Sequence, residues 1–322
     1  MKVVVLKESG SALALAFMVI FLMIFAAIFG FMLFSVQGGE LIVLGFFAFF
    51  MAIVFFGIYA LVKKRREYGR AQRFADACTF SDSGVSFPES LEFEYGTLEL
   101  RGYWVGSGKN RSYHVEREFT PSKKSRASNV AFPEEGFKAT VAFDGTGKVS
   151  VPAVRITDEL YRDIVVLFFT DEGEVKGAGT VTVSTDRDSA QVNFRGEGRF
   201  ITGTVYSSLN KARRVKVALT AKGFDYEKVI GKGKSFEFRE PMLPEEKVIM
   251  VGTYGTVSPK LILSGFNGET VVMGHGEFRI RAILDIPLRP DIKAEESFRV
   301  ELRERAEGER EEKEFEEEWG VF

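Results

Sequence analysis

The sequence is poor in the side chains that most often carry catalysis, metal binding or covalent cross-linking. Its 322 residues include one cysteine and two histidines. The single cysteine, Cys78, excludes an intramolecular disulfide, which is typical of proteins in a reducing compartment. Five Asn and three Gln stand beside 27% charged residues, and few labile amides with many charges is a composition similar to that of thermophilic proteins.

This scarcity leaves few candidates for chemistry. His114, His275 and Cys78 lie far apart in the sequence, so no spacing of ligands indicates a zinc site. A nucleophilic Cys78 would need one of the histidines folded against it. Gly102–Asn110 has one residue too many for a phosphate-binding loop, and Gly231–Ser235 lacks the first glycine of that motif. We therefore predict no catalytic, cofactor-binding or metal-binding residue, and no cofactor.

Charge is almost absent from the first 62 residues. Two segments, residues 11–36 and 41–62, contain no Asp, Glu, Lys or Arg. About 20 apolar residues are enough for a helix to cross a bilayer, so both segments are long enough. The linker between them has four residues, which permits a tight turn. We therefore predict that residues 1–62 form a transmembrane helical hairpin.

Basic residues follow the second predicted span directly. Six lie within eleven residues: Lys63, Lys64, Arg65, Arg66, Arg70 and Arg73. Because positive charge stays on the cytoplasmic side, this cluster predicts that both termini and the soluble region are cytoplasmic. The same six side chains are predicted to contact lipid headgroups. Residues 63–80 are predicted as a basic juxtamembrane helix or linker, with the helix covering Arg65–Ala77, in an integral protein of the cell membrane.

After residue 80 the sequence alternates between apolar and polar residues. This period of two, in runs rich in Val, Ile and Phe, is typical of half-buried strands. The clearest runs are 91–95, 97–105, 137–143, 148–156, 179–184, 213–223, 234–240, 277–286 and 297–302. Many short strands favour an antiparallel β-sandwich. Because they are too many for one small sandwich, we predict two tandem units, residues 81–197 and 198–302.

Two turn sequences support these strands. Asn267-Gly268 separates the runs 260–265 and 270–274, and Asn-Gly favours the positive φ angles of a two-residue hairpin turn. Asp144-Gly145 is predicted to form a similar turn between two other strands. The segment Thr120–Ser128 is basic and rich in serine, and it is predicted as a solvated loop that could contact lipid headgroups or an acidic partner.

The C-terminal tail, residues 303–322, has a composition of its own. From Glu301 onward the chain holds ten Glu and four basic residues. Such a run is typical of a solvated helix or a disordered tail. Phe315, Trp319 and Phe322 have the spacing of one helical face, and an acidic segment with an aromatic face suits docking into a groove. These three residues are predicted to bind a partner or a neighbouring protomer, with folding back onto the chain's own sandwich as the alternative.

The sequence favours binding over catalysis. A net charge of −2 gives no indication of nucleic-acid binding. We predict a membrane-anchored, cytoplasmic β-sandwich binding or scaffold protein, which recruits a partner protein at the bilayer or self-associates. Two alternatives stay open at this point. One is a membrane-bound enzyme or enzyme accessory subunit without a recognisable motif, and the other is a homo-oligomeric membrane protein with a structural or pore role.

Overall fold

The computed structural model describes most of the chain after residue 40. The described residues are 1–7, 17, 19–22, 24–25, 28–29, 40–81, 83–133, 136–169, 173–221, 227–266 and 276–302. Within them the chain is mainly β-strand and forms three sheets. The predicted β-sandwich architecture agrees with this result.

The first sheet has eight strands, in the order β1-β15-β7-β6-β3-β2, with β4 paired to β3 and β5 paired to β6. Their bounds are β1 (Lys2–Val5), β2 (Thr79–Ser81), β3 (Gly84–Val105), β4 (Ser112–Ala131), β5 (Lys138–Val141), β6 (Gly147–Ile156), β7 (Ile164–Phe169) and β15 (Val248–Thr253). Seven of the eight join in antiparallel pairs, whereas β1 lies parallel to β15. The sheet thus combines the N-terminal residues with a strand from late in the chain.

Both faces of the first sheet are buried around its central strands. One face packs on helix α2 (Pro259–Gly265) through a core that includes Leu98, Val151 and Leu167. The other face packs on the end of helix α1 (Glu40–Ala77), where Phe74 is completely buried. The Phe74 ring lies 5.0 Å from the ring of Tyr161, measured between centroids. These contacts fix the last turns of α1 to the sheet.

The other nine described strands form two sheets. The second sheet has the order β13-β12-β16-β17-β8, and the third has the order β14-β11-β10-β9. Their bounds are β8 (Gly173–Lys176), β9 (Ala178–Ser184), β10 (Ser189–Glu197), β11 (Phe200–Ser208), β12 (Arg214–Ala221), β13 (Glu227–Gly233), β14 (Phe236–Pro241), β16 (Gly276–Asp285) and β17 (Ile292–Leu302). All of their pairings are antiparallel.

The second and third sheets face each other and form a β-sandwich. One apolar core lies between them, and it draws Val192 and Ile201 from one sheet and Val217 and Ile280 from the other. Neighbouring residues point to the outside, as in β10, where buried and exposed positions alternate. The sheets do not follow chain order, since β15 belongs to the first sheet although strands on both sides of it belong to the sandwich. The two tandem units stay a prediction.

The predicted transmembrane hairpin is wrong. The second predicted span, residues 41–62, belongs to α1, a 38-residue helix that continues without a break to Ala77. Most of the first predicted span lies outside the described residues. No helix in the described part of the chain is long and apolar enough to cross a membrane. The prediction of a two-span integral membrane protein at the cell membrane, and the cytoplasmic placement derived from it, are therefore withdrawn.

Two local predictions are confirmed, one in this helix and one in a turn. The predicted helix Arg65–Ala77 is confirmed as the second part of α1. The predicted turn at Asp144-Gly145 is also confirmed, because both residues have positive φ angles, 62° and 75°. This turn joins β5 to β6, and a backbone hydrogen bond from Ala142 N to Thr146 O closes it. The predicted Asn267-Gly268 turn lies outside the described residues.

Candidate functional site

Strand β4 forms a long edge of the first sheet. Strand β4 pairs with β3 from Ser112 to Ala131, and it pairs with no other described strand. An edge strand leaves the N–H and C=O groups of its outer side without a ladder partner. At 20 residues, β4 is far longer than the usual edge, so this backbone surface is the first candidate for binding another chain.

A bulge divides the edge into two parts. Gly96 pairs with Pro121 and Tyr95 pairs with Lys123, so Ser122 is an extra residue in β4. Its hydroxyl donates a hydrogen bond to the carbonyl of Tyr95, at 2.9 Å. Proline has no N–H to donate, and it is tolerated in a sheet where that side faces away from a partner strand. The edge after this bulge is the segment Lys123–Ala131, which has a second irregularity at Ser128, because Ala127 pairs with Leu91 whereas Asn129 pairs with Ser86.

This second segment of the edge is basic. It contains Lys123, Lys124 and Arg126 and no acidic residue. Two acids of β3 lie opposite: Lys124 Nζ is 3.2 Å from a carboxylate oxygen of Glu94, and Arg126 is 3.8 Å from that of Glu92. Lys124 and Arg126 remain largely exposed, so these pairs are weak. We name the segment Lys123–Ala131 the basic edge.

The basic edge corrects one prediction. Thr120–Ser128 was expected to be a solvated loop, yet it lies within β4. The physical reason is that an edge strand with little buried surface has a polar composition similar to that of a loop. The predicted contact of this segment with an acidic partner is untested.

The tip of the β3–β4 hairpin carries an aromatic cluster. The rings of Trp104 and Tyr113 pack at 5.2 Å, and the cations of Arg111 and Lys260 lie 5.0 and 5.3 Å from the Trp104 ring. The Tyr113 hydroxyl donates to the carbonyl of Gly145 at 2.6 Å, and burial raises the pKa of Tyr113 to about 12. This cluster ties the hairpin to α2 and to the β5–β6 turn, which indicates a structural role.

A second turn has unusual geometry and was missed by the sequence reasoning. Leu288, between β16 and β17, has a φ angle of 60° and a fully exposed side chain, at 105% of the reference area. Pro287 and Pro290 flank it closely. Positive φ is rare for a residue with a branched apolar side chain. In the sequence, this turn is indicated by the two prolines that enclose Leu288 and Arg289.

The predicted basic residues after residue 62 all lie on α1. Lys63, Lys64, Arg65 and Arg66 have exposed side chains, as does Arg73, whose Nε donates to the carbonyl of Gly69 at 3.2 Å. Arg70 is half-buried, and its Nε has no hydrogen-bond partner among the described residues. The structure thus brings the six together on one helix. Their predicted contact with lipid headgroups stays a prediction.

Two of the candidates for chemistry, Cys78 and His114, lie in the described part of the chain, and they have different neighbours. Burial raises the pKa of the Cys78 thiol to about 12, which keeps it protonated and poorly nucleophilic at neutral pH. The His114 ring stacks on Tyr103, and its Nε2 lies 2.8 Å from the Ser112 hydroxyl. Among the described residues no group of three or more His, Cys, Asp or Glu could hold a metal ion.

Two further predicted positions cannot be placed. His275 lies outside the described residues, and so does the tail with Phe315, Trp319 and Phe322. Comparison with known proteins adds no assignment, because no protein-family model matches the chain and no curated protein matches its sequence.

Proposed function

We propose that this chain is a binding or scaffold protein that recruits a partner protein through the basic edge of β4. The observation that carries the proposal is a 20-residue edge strand that pairs on one side only with a described strand. Adding an extended segment to such an edge is a common mode of recognition, in which backbone hydrogen bonds supply affinity and side chains supply specificity.

The charges of the basic edge define the kind of partner. Lys123, Lys124 and Arg126 favour an extended segment that carries Asp or Glu at alternate positions. Lysine and a proline bulge are also the devices by which edge strands avoid pairing with one another. In this case they would repel a second basic edge and still accept an acidic segment. The same features thus provide both protection against aggregation and selectivity.

Cross-linking mass spectrometry on the tagged full chain in cells tests this proposal. An amine-reactive linker attaches at Lys123 and Lys124, so the informative variant is Arg126→Glu, which keeps both attachment points. We expect recurrent cross-links from these two lysines to lysines that lie next to acidic segments of a second protein, reduced about fivefold or more in the variant. Arg126 is exposed and its pair with Glu92 is long, so the variant should fold normally.

The matched control is Arg187→Glu. Arg187 is exposed in the turn between β9 and β10, and the charge change is the same as in the test variant. Cross-links should persist in this control. The proposal fails if Lys123 and Lys124 cross-link only within the chain or its copies, or if Arg126→Glu leaves the links to a second protein unchanged.

A further inference from the structure

A second surface, away from the basic edge, lies at one end of the sandwich. There β12 begins, β16 ends and β17 begins, because Arg214 pairs with Asp285 and Ile292 pairs with Leu284 across the strands. The turn between β16 and β17, with Leu288 in it, projects from this end. We name this surface the cationic turn. Its basic residues are Lys211, Arg213, Arg214, Lys216, Arg289 and Lys293, and its acidic residues are Asp285, Asp291 and Glu227, which lies 3.6 Å from Lys293.

The acids of the cationic turn are already engaged. Asp285 lies 2.8 Å from Arg214 and 3.2 Å from Lys216, and Lys216 lies 3.8 Å from Asp291. The hydrogen bond from Arg214 lowers the pKa of Asp285 below its ordinary value, so this acid stays charged and paired. Arg213 and Arg289 form no ion pair with any described residue. The surface therefore has positive charge to offer to a ligand.

Leu288 provides the apolar part of the surface. A left-handed φ angle brings Cβ too close to the following carbonyl oxygen, and Gly or Asn would adopt it with less strain. A leucine side chain can offset this strain when it is buried, yet that of Leu288 is fully exposed. In the described structure the leucine thus adds strain without burial. An apolar side chain that is exposed in this way is available for a contact outside the described residues.

We propose that the cationic turn is a docking surface for the acidic, aromatic C-terminal segment of this chain, residues 303–322. This segment supplies the complementary groups, since the chain from Glu301 onward holds ten Glu and four basic residues. Phe315, Trp319 and Phe322 supply apolar surface for Leu288, and the neighbouring glutamates face Arg213 and Arg289. The inference goes beyond the proposed function, because it concerns a different surface and needs no second protein.

The chain is long enough for this contact. Strand β17 has 11 residues, so its two ends are about 36 Å apart at about 3.3 Å per residue. The segment therefore starts about one strand length from the turn, whereas twenty extended residues reach about 66 Å. The segment of the same molecule and that of a second copy are both within reach, and dilution of the protein distinguishes the two.

Fluorescence of Trp319 tests the docking in the full chain. The protein has two tryptophans, so Trp104→Phe leaves Trp319 as the sole emitter. We expect its emission to be shifted to the blue, and quenching by acrylamide to be about half as efficient, compared with a synthetic peptide of residues 303–322. Leu288→Ala should make Trp319 about as quenchable as in the peptide. High salt should also increase the quenching of Trp319, because the charges on this surface are exposed and salt screens them.

Two further variants separate docking from folding. Leu160→Ala is the matched control, since Leu160 is an exposed leucine in another turn, and it should leave Trp319 protected. Leu288→Gly removes the side chain and also the backbone strain. It should therefore expose Trp319 while the unfolding temperature stays unchanged or rises. A fall larger than the one caused by removing residues 303–322 would show that Leu288 supports the fold itself, which would overturn the proposal.

An independent measurement avoids any change to Trp104. A photo-reactive benzoylphenylalanine in place of Leu288, in the otherwise unchanged chain, should cross-link to a peptide from residues 303–322. Attachment to other parts of the chain, or none at all, would contradict the docking. The docking would also be contradicted if Trp319 in the Trp104→Phe protein were as accessible to acrylamide as it is in the free peptide.

Discussion

The first sheet and the sandwich differ in how many faces of their strands are buried. All six residues of β7 and all six of β15 are buried, because helices and loops cover both faces of the first sheet. In β9 and β10 of the sandwich, buried and exposed residues alternate. The difference shows that the covering layers decide the sequence pattern of a strand. A strand covered twice must be apolar throughout, whereas a strand covered once keeps a polar face.

The largest expected effect comes from substitutions in β7, which is buried on both faces. Phe168 and Phe169 are neighbours that point to opposite faces, and both are completely buried. We expect Phe168→Ala and Phe169→Ala each to lower the free energy of unfolding by about 3–5 kcal/mol, because each leaves a cavity in a different core. Chemical denaturation measures this loss. A near-neutral result for either residue would show that one face of β7 is not tightly covered.

The contrast between strands buried on one face and strands buried on both faces also explains which strands can be predicted from the sequence. The alternating runs that became β9, β12, β16 and β17 were found, because a period of two is visible when one face is polar. Neither β7 nor β15 was found, since the continuous apolar run "IVVLFF" has no period. Their place at the centre of the first sheet, beside the parallel strand β1, depends on contacts between residues far apart in the chain.

The sequence contains a local signal for the start of helix α2. Residues 260–265 were predicted as a strand of a hairpin, whereas they belong to the helix α2. Ser258 caps this helix, since its hydroxyl accepts a hydrogen bond from Leu261 N at 3.2 Å, and Pro259 occupies the first helical turn. Serine followed by proline is a typical helix start. The edge position of β4 has no comparable signal, because it depends on the assembled sheet.

The next largest expected effect tests whether the strands of the sandwich are buried on one face only. Ile201 is completely buried between the second and third sheets, whereas Gln191 is exposed on the outer face of β10. We expect Ile201→Ala to lower the free energy of unfolding by about 2–5 kcal/mol. Gln191→Ala should change it by about 0.5 kcal/mol or less. If urea denaturation gave equal losses for the two, the outer face of the sandwich would have to be covered as well.

The sandwich also differs from the first sheet in using a buried carboxylate to hold a turn. Asp188 is almost fully buried and accepts hydrogen bonds from the backbone N–H groups of Asn210, Lys211 and Ala212, at 2.6, 2.8 and 3.0 Å. These bonds, that of Ala212 first, lower the pKa of Asp188. Its contribution to stability is therefore present above the unfolded-state pKa, roughly 4, and is lost as the pH falls through the lower folded-state value.

Asp188→Asn tests this pH dependence. We expect the variant to unfold at a lower temperature than the parent at pH 7, with the difference shrinking as the pH falls below about 4. Thermal unfolding followed by circular dichroism from pH 7 to pH 2 measures both. Asp186→Asn is the control, because Asp186 is exposed in the same turn, and it should follow the parent. A difference that stayed constant with pH would assign the loss to geometry and not to charge.

The smallest expected effect lies on the outer face of the second sheet, where ion pairs take the place of a second core. Arg281 lies 2.8 Å from Glu295 and 3.0 Å from Glu227, with all three side chains partly exposed. Because exposed pairs are weak, we expect Arg281→Met to lower the free energy of unfolding by about 0.5–1 kcal/mol at low salt. The loss should shrink in 1 M salt, because salt screens the pairs that the variant removes.

Arg299→Met provides the comparison for this last prediction, since Arg299 is an exposed arginine on β17 without an ion pair to any described residue. It should change stability very little at either salt concentration. If Arg281→Met instead cost about 2 kcal/mol or more, equally at low and high salt, the packing of the arginine methylene groups would be its main contribution. The outer face of this sheet would then be stabilised by burial, as both faces of the first sheet are, and the contrast between the two regions would be one of degree.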